Sequence, residues 1–457
     1  MLFFKTMSRM RITFLWLIVA MVYVNPLFSQ GLFESMTSEK EDETEQRTKL
    51  ELNGYARGLV YGGAEDFDYS HVFGEFALRG KLANKKAFLY TDVRLREGLF
   101  YNNKELQLQL KEAYAGYRSS GFDLFLGNQI VAWGRTDGFN PTNNITPNDY
   151  FFLTYEPDDQ KMSNFMLRTK FRPSHSIDID LIAIPFFSPS NYRYDLFFKD
   201  NPVVFLPIDV PSLNFRNGSL AARFNAELPQ IGFSLSYFQG YNPFCGIDLE
   251  SFSLSPVEVV QKPKPYFMRT LGADFAIPIQ SWIVRGEAAY SMTKDYADHI
   301  YIPNPDLYYV FGIEKNVWDA TIIAQYVGRY TFDFVELTQP QLTEMTPDAI
   351  AQFAGEMVNY ELTKYNRMIF NQHEQTNHML FLSASRSFFY EVLNIELAGT
   401  YNFTNKEQMV RARLKWNLSD GVAANLGCSY MLGDDKSLYD MIGKAMNGVF
   451  VGLEVGF

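Results

Sequence analysis

The sequence predicts an all-β fold: a transmembrane antiparallel β-barrel of about eighteen strands with long extracellular loops. Three observations carry this. First, segments of period two fill the chain. The last one sets Val449, Val451, Leu453, Val455 and Phe457 on one face, against Phe450, Gly452, Glu454 and Gly456 on the other. One face is apolar and the other carries glycine and a carboxylate, as a half-buried strand requires. Second, aromatic residues make up 16% of the 457 residues, with 28 Tyr and 41 Phe, yet the mean hydropathy is only −0.16. A bundle of lipid-spanning helices would be far more apolar, whereas a barrel touches lipid with alternate residues and rings its ends with aromatics. Third, the segments arrive in pairs joined by tight turns, while the other connections are long. Only a closed sheet pairs every backbone group in lipid.

The N-terminus reads as a secretory signal over residues 1–30. Lys5, Arg9 and Arg11 precede an apolar run from Ile12 to Phe28, with the cut expected near Ser29-Gln30. Residues 31–49, with Glu41-Asp42-Glu43-Thr44-Glu45, lack periodicity and read as a flexible periplasmic leader. The barrel takes residues 50–457. Removing the signal shifts the formal charge from −11 to −14, with 38 basic against 52 acidic residues, which excludes nucleic acid as a natural partner. Cys245 and Cys428 lie far apart. A disulfide is possible in an oxidising periplasm, but Cys428 sits within a strand pattern and reads as a small buried hydrophobe.

An opening strand near 50–60 is followed by eight hairpins. These are 72–82/86–96, 108–118/122–132, 162–172/176–185, 219–228/231–240, 267–276/281–291, 307–315/318–330, 378–388/391–402 and 408–416/421–431. The closing strand is 448–457. Turn chemistry marks the joints, such as Ala83-Asn84-Lys85, Ser119-Ser120-Gly121, Asn316-Val317 and Ser419-Asp420-Gly421. The total is eighteen, or sixteen if the opening strand or 307–315 belongs to a loop or plug. An even number places both termini with the tight turns on the periplasmic side, and all the long loops outside.

Charges then sort to one face. Asp92, Arg94 and Arg96 oppose Leu89, Thr91, Val93 and Leu95; Asp178 and Asp180 oppose Ile177, Ile179 and Leu181. Arg285 and Glu287 oppose Trp282 and Val284, and Arg411, Arg413 and Lys415 oppose Val410, Leu414 and Trp416. A midplane charge facing lipid costs a few kcal/mol, so these groups must line the lumen. Both signs occur, which predicts internal ion pairs and a partly filled interior.

Three long connections, 133–161, 186–218 and 241–266, are rich in Asn, Asp, Pro and aromatics. The first, with Arg135 to Asn144 and Pro147-Asn148-Asp149-Tyr150, has the density of a self-bonded loop. A fourth, 331–377, holds a helix over 349–365. Thr346-Pro347-Asp348 caps it, and Ile350, Phe353, Ala354, Met357 and Tyr360 form one face. It could serve as a lid, a plug or a docking element.

No catalytic constellation is visible, and no cofactor is implied. The five histidines are scattered, and neither a nucleophile elbow nor a P-loop occurs. His373 and His378 alone are near enough to suggest a surface metal site, a weak signal. Residues 110–150 hold Glu112-Ala113-Tyr114, then Gly127-Asn128-Gln129-Ile130-Val131-Ala132-Trp133-Gly134, then Asn140-Pro141. This resembles the DUF1302-like outer-membrane barrels of Gram-negative bacteria. Glu112, Tyr114, Gly127, Gln129, Val131, Trp133, Gly134 and Asn140-Pro141 match that pattern, and Asn128 departs where the family has arginine. The resemblance implies a barrel associated with export or transport of lipid-like molecules. Read physically, Gly127 leaves a gap in the lumen-facing row, Gln129 projects into the lumen, and Trp133 and Tyr114 suit the membrane–water boundary. A slip in alternation at Lys111-Glu112 predicts a bulge.

The expected location is the outer membrane of a Gram-negative bacterium. The expected function is a transport barrel for small or amphipathic solutes. The alternative is a non-catalytic subunit of an assembly, secretion or attachment complex. Expected partners are outer-membrane lipids and lipopolysaccharide, the barrel assembly machinery, and other outer-membrane or periplasmic proteins met through loops or leader. Phe457 resembles the terminal aromatic that this machinery recognises.

Overall fold

The computed structural model describes residues 48–64, 66–193, 196 and 202–457. The expected signal segment and nearly all of the leader lie outside the described residues. Eighteen strands close into one antiparallel ring. In chain order they are β1 (Lys49–Gly63), β2 (His71–Asn84), β3 (Ala87–Phe100), β4 (Asn103–Arg118), β5 (Phe122–Gln129), β6 (Asn164–Ser174) and β7 (Ile177–Ile184). The strand β8 (Val203–Phe205) lies outside the ring, which continues with β9 (Ser219–Glu227) and β10 (Gly232–Tyr241). Next come β11 (Gly246–Leu254) and β12 (Val257–Lys264), again outside it. The ring then runs through β13 (Phe267–Ile279), β14 (Trp282–Thr293), β15 (Asp306–Val317), β16 (Ala320–Thr331), β17 (Thr376–Phe388), β18 (Leu393–Asn402), β19 (Glu407–Ser419), β20 (Val422–Leu432) and β21 (Gly448–Gly456). β1 pairs with β2 on one edge and β21 on the other, and this closure seals the wall.

Alternation sets the two faces. On β21, Val449, Val451, Leu453, Val455 and Phe457 are exposed outward, while Phe450 is fully buried. Every ring strand matches an expected segment, and the eight joints expected to be tight lie on the side that holds both strand termini. An eighteen-strand closed barrel with an apolar outer face defines an outer-membrane protein of a Gram-negative cell.

Local details differ from the sequence reading. The β15–β16 turn is Trp318-Asp319, with φ of 49° and 62°, not Asn316-Val317. Those two residues continue the ladder, and Asn316 accepts a bond from the Thr321 hydroxyl at 2.8 Å. The external joint between β3 and β4 is a two-residue turn, Tyr101-Asn102, because both strands run further than expected. Cys428 is not buried: it is half-exposed on the outer face, opposite Val449. Both cysteines are free thiols.

The external loops build a cap. β11, β12 and β8 form a small sheet. The helix α1 (Pro347–Ile369) is longer than expected but begins as predicted, with the Thr346 side chain accepting from Ala349 N at 3.3 Å. Its C-terminal half is the anchored part. Leu362 and Tyr365 pack on Ile247. The Asn366 amide accepts from Ile247 N at 2.8 Å and donates to Ile247 O at 2.7 Å, a side chain imitating a strand. A second helix, α2 (Leu438–Met446), was not foreseen.

Candidate functional site

The candidate site is the lumen where residues 130–163, the connection between β5 and β6, fold inward. A bulge in β4 explains how the loop starts and ends. Asp92 pairs with Glu112 but Val93 with Leu110, leaving Lys111 as the extra residue. The bulge turns two consecutive side chains inward, which a regular strand cannot do. Glu112 accepts from Ile130 N at 2.9 Å as the loop leaves the wall. Lys111 donates to the carbonyls of Asp158, at 3.2 Å, Asp159, at 2.8 Å, and Lys161 as the loop returns. Gln129, lumen-facing as expected, donates to Met166 O at 3.2 Å.

The first lobe, residues 133–142, crosses toward β13–β17. Glu287, fully enclosed, is its anchor. Its carboxylate accepts from Arg135 N (3.0 Å), Thr136 N (3.3 Å), Thr136 Oγ1 (2.9 Å), Thr142 N (2.9 Å) and Thr142 Oγ1 (2.8 Å). The close approach demands glycine at 134, where φ is +113° and a Cβ would stand 2.7 Å from Glu287 Oε2. Arg135 then reaches Asp274 at 2.6 Å and Glu227 at 2.7 Å. Arg285 pairs with Glu314 at 2.6 Å and with Asp137. Phe139 meets Phe381 edge-on.

The second lobe, residues 149–161, lies against β1–β4 and β19–β21. Asp159 bridges Arg57 and Arg94, each at 2.7 Å. Arg94 also holds Asp92 at 3.2 Å, Arg57 holds Glu75 at 2.8 Å, and Arg96 pairs with Glu75. Burial alone would raise the Asp159 carboxyl, but Arg57 and Arg94 outweigh it and hold it below the ordinary aspartate range. From β19, across the β21–β1 seam, Arg411 donates to Tyr155 O at 2.5 Å, and Arg413 reaches Glu156 at 3.2 Å and Glu396 at 3.9 Å. Tyr155 donates to Glu454 Oε2 at 3.0 Å.

All the sequence-expected charges thus face the lumen, and most touch the loop. Asp180 pairs with Arg168 at 2.6 Å and accepts from Trp133 Nε1 at 3.4 Å. Asp178 takes Asn225 at 2.9 Å and Lys170 at 3.9 Å. Lys415 also faces inward, but its register neighbours are Asn394 and Asn425, and it has no ion pair among the described residues. Two expectations fail. Trp133 is almost fully buried within the lumen loop, and Tyr114 packs inward against Tyr90, Phe88 and Phe125, so neither marks the membrane–water boundary. The reason is that β5 leaves the wall after Gln129, before Trp133, and that the bulge resets the parity of β4. Sequence reasoning missed Arg57, Glu75, Arg135, Asp159 and Asp274; inward parity signalled Arg57, Glu75 and Asp274, while the two loop residues had no periodic signal.

Cavities lie on both faces of the loop. Outside it, a vestibule of about 550 Å³ is lined by Phe139, Tyr150, Phe244, Tyr308, Arg329 and Phe370, among others. On the periplasmic face, a chamber of about 290 Å³ is bounded by Trp133, Arg135, Arg168, Lys170, Asp178 and Arg223. No cluster able to hold a metal ion occurs among the described residues.

These features define an outer-membrane barrel with an inwardly folded, ion-paired loop. The fold is similar to that of three solved structures. Pseudomonas aeruginosa OccK3 (OpdO) is 10% identical, with 89% of this chain and 95% of that one covered and a TM-score of 0.53. The P. aeruginosa outer membrane protein OpdK is 9% identical, with coverage of 90% and 98% and a TM-score of 0.52. P. aeruginosa OccK2 (OpdF), solved in complex with glucuronate, is 10% identical, with coverage of 90% and 95% and a TM-score of 0.50. No protein-family model matches the chain, and a search of curated proteins finds no relative.

Proposed function

We propose that the chain is a solute channel in which the loop 130–163 sets what passes. The carrying observation is that this loop is clamped from opposite walls, by Glu287 and by the Arg57–Asp159–Arg94 set, with a cavity on each face. A structural wall has no use for a loop held at that position, whereas a selective pore does.

The linings suggest the solute class. The vestibule offers aromatic faces and amides, suited to a small ring-bearing or amphipathic molecule. Arg329 there, and Arg135, Arg168 and Arg223 beyond the loop, each sit against a carboxylate. An acidic solute could exchange with those wall carboxylates in succession, and the glucuronate held by OccK2 belongs to this size and charge class. We also take the residue 110–150 resemblance to DUF1302-like barrels as kinship through the loop-anchoring motif. Single-channel recording with purified protein tests the reading. Discrete conductance steps, with current blockade by small organic acids, are expected. A barrel that stays non-conducting at every voltage, even in the Glu287→Ala variant, would refute it.

A further inference from the structure

The vestibule outside the loop is lined almost entirely by uncharged groups. Among the described residues that line it, Asp306 and Arg329 are the charged ones, and they pair with each other. Gln372 also donates to Asp306, at 3.3 Å, and the Arg329 guanidinium lies 4.5 Å over the Tyr308 ring. A solute carboxylate that took Arg329 would strip Asp306 of its partner, so an acid gains little here. Affinity in this cavity must come from the neutral groups.

Those groups are of two kinds. Part of the lining is an aromatic chain: Tyr150 meets Phe244 edge-on at 5.9 Å, Phe244 meets Phe370 at 5.7 Å, and Phe370 meets Tyr266 at 5.6 Å. The rest includes three unpaired polar groups. These are the Asn143 amide on the lumen loop, the Asn371 amide just past the end of α1, and the Tyr308 hydroxyl on β15. Among the described residues none of the three makes a side-chain hydrogen bond. Their backbones are held. Asn143 N bonds to Asn140 O at 3.1 Å, next to the Glu287 clamp, and Asn371 N bonds to Met368 O at 3.0 Å. The Asn143 Oδ1 is shielded from water without a partner, and a turn about the soft terminal torsion of the side chain would offer it to a solute.

We propose that the vestibule is a saccharide-binding subsite that reads ring hydroxyls and not charge. A sugar hydroxyl both donates and accepts, and so does an amide or a phenol, so the groups match without any change of protonation. A carboxylate offers acceptors alone and would leave the amide oxygens unmatched. An aromatic ring without hydroxyls offers neither and would leave all three polar groups unpaired. The C–H face of a sugar ring is apolar and lies against the aromatic chain. The volume of about 550 Å³ is that of a small-molecule pocket. This names a substrate class for the channel and rests on that reading for its part in passage, while binding itself is measured without current.

Saturation-transfer NMR on the purified full chain in detergent tests it. Maltose serves as the neutral sugar, and benzoate as a ring-bearing acid without hydroxyls. Transfer to the maltose ring C–H protons is expected, with benzoate binding at least about tenfold more weakly. Tyr308→Phe keeps the ring under Arg329 and removes only the hydroxyl. Asn371→Gly removes an amide and suits the local φ of 54°. Each is expected to weaken maltose about two- to tenfold, one hydrogen bond's worth, and to leave benzoate unchanged. A merely structural effect would move both probes together, and that outcome would overturn the proposal. So would absence of transfer to maltose, or benzoate binding as tightly as maltose. Maltose binding that survives Tyr308→Phe combined with Asn143→Ala and Asn371→Gly would overturn it too, since the sugar would then sit elsewhere. A barrel that binds maltose as expected but never conducts would refute the channel and leave the subsite standing.

Discussion

Replacing Glu287 by alanine should release the first lobe of the lumen loop and leave the barrel standing. Glu287 lies on β14, whose ladder to β13 and β15 depends on backbone groups that the substitution does not touch. What disappears is one buried carboxylate that accepts five hydrogen bonds from residues 135–142. Buried donors left without an acceptor cost about 1–3 kcal/mol each, but a loop that swings away recovers water for most of them. Hydrogen bonds to a carboxylate contribute about 1.5–3 kcal/mol each, so a net loss of two of the five costs about 3–6 kcal/mol. That shifts the docked-to-undocked ratio of the lobe by roughly 10²–10⁴-fold. Glu287→Gln keeps the shape and one acceptor oxygen, so it should fall between. The assay is single-channel recording in planar bilayers, with heat-modifiable gel mobility confirming a closed barrel. Larger, noisier openings are expected in the order Glu287→Ala, Glu287→Gln, native. A Glu287→Ala barrel that is folded and shows native conductance and noise would refute the clamp.

The second lobe has its own tests. Lys111→Met removes a donor to three carbonyls at the loop's return, and should increase open-channel noise while leaving the β3–β4 ladder intact in hydrogen exchange. Asp159 titrates below the usual aspartate range because Arg57 and Arg94 outweigh its burial. A lowered folded value means that its stabilisation is full above the ordinary aspartate pKa of about 3.9 and is lost only as pH falls through the depressed value. Conductance should therefore hold steady from neutral pH down to about pH 4.5 as far as Asp159 is concerned, and Asp159→Asn should show the loosened behaviour already at neutral pH. At Gly127, φ is +133° and a Cβ would stand 2.3 Å from Ala113 O; Gly127→Ala should cost about 1–3 kcal/mol and lower the yield of heat-stable barrel. Deleting Phe457, whose ring stacks on Phe76 at 5.6 Å and whose backbone bonds to Gly54 at 3.0 Å in both directions, should impair insertion more than conductance. Normal membrane levels of the deletion would count against an assembly role.

The wall was legible in the sequence and the loop was not, for one physical reason. Lipid on one side and water on the other force each strand to alternate, and a misplaced charge in hydrocarbon costs a few kcal/mol. That pressure writes a period of two into every strand, so Asp92, Arg94, Glu287 and Arg413 could be assigned to the lumen from parity alone. Residues 130–163 meet no such filter, because inside the lumen both polar and apolar side chains find partners. Trp133 shows the consequence: its amphipathic ring suits a membrane boundary as well as it suits a bond to Asp180, and only the departure of β5 after Gln129 decides between them. The slip at Lys111-Glu112 is the one place where wall and loop share a signal. A regular strand would send one of these residues to lipid, and the bulge instead turns both inward, one to each end of the loop. The same departure of β5 that lets the loop enter the lumen strips β4 of its neighbour. The clamp inside and the β4–β5 ladder that stops at Ala113 are thus two results of one local choice: to spend the upper half of a wall strand on the interior.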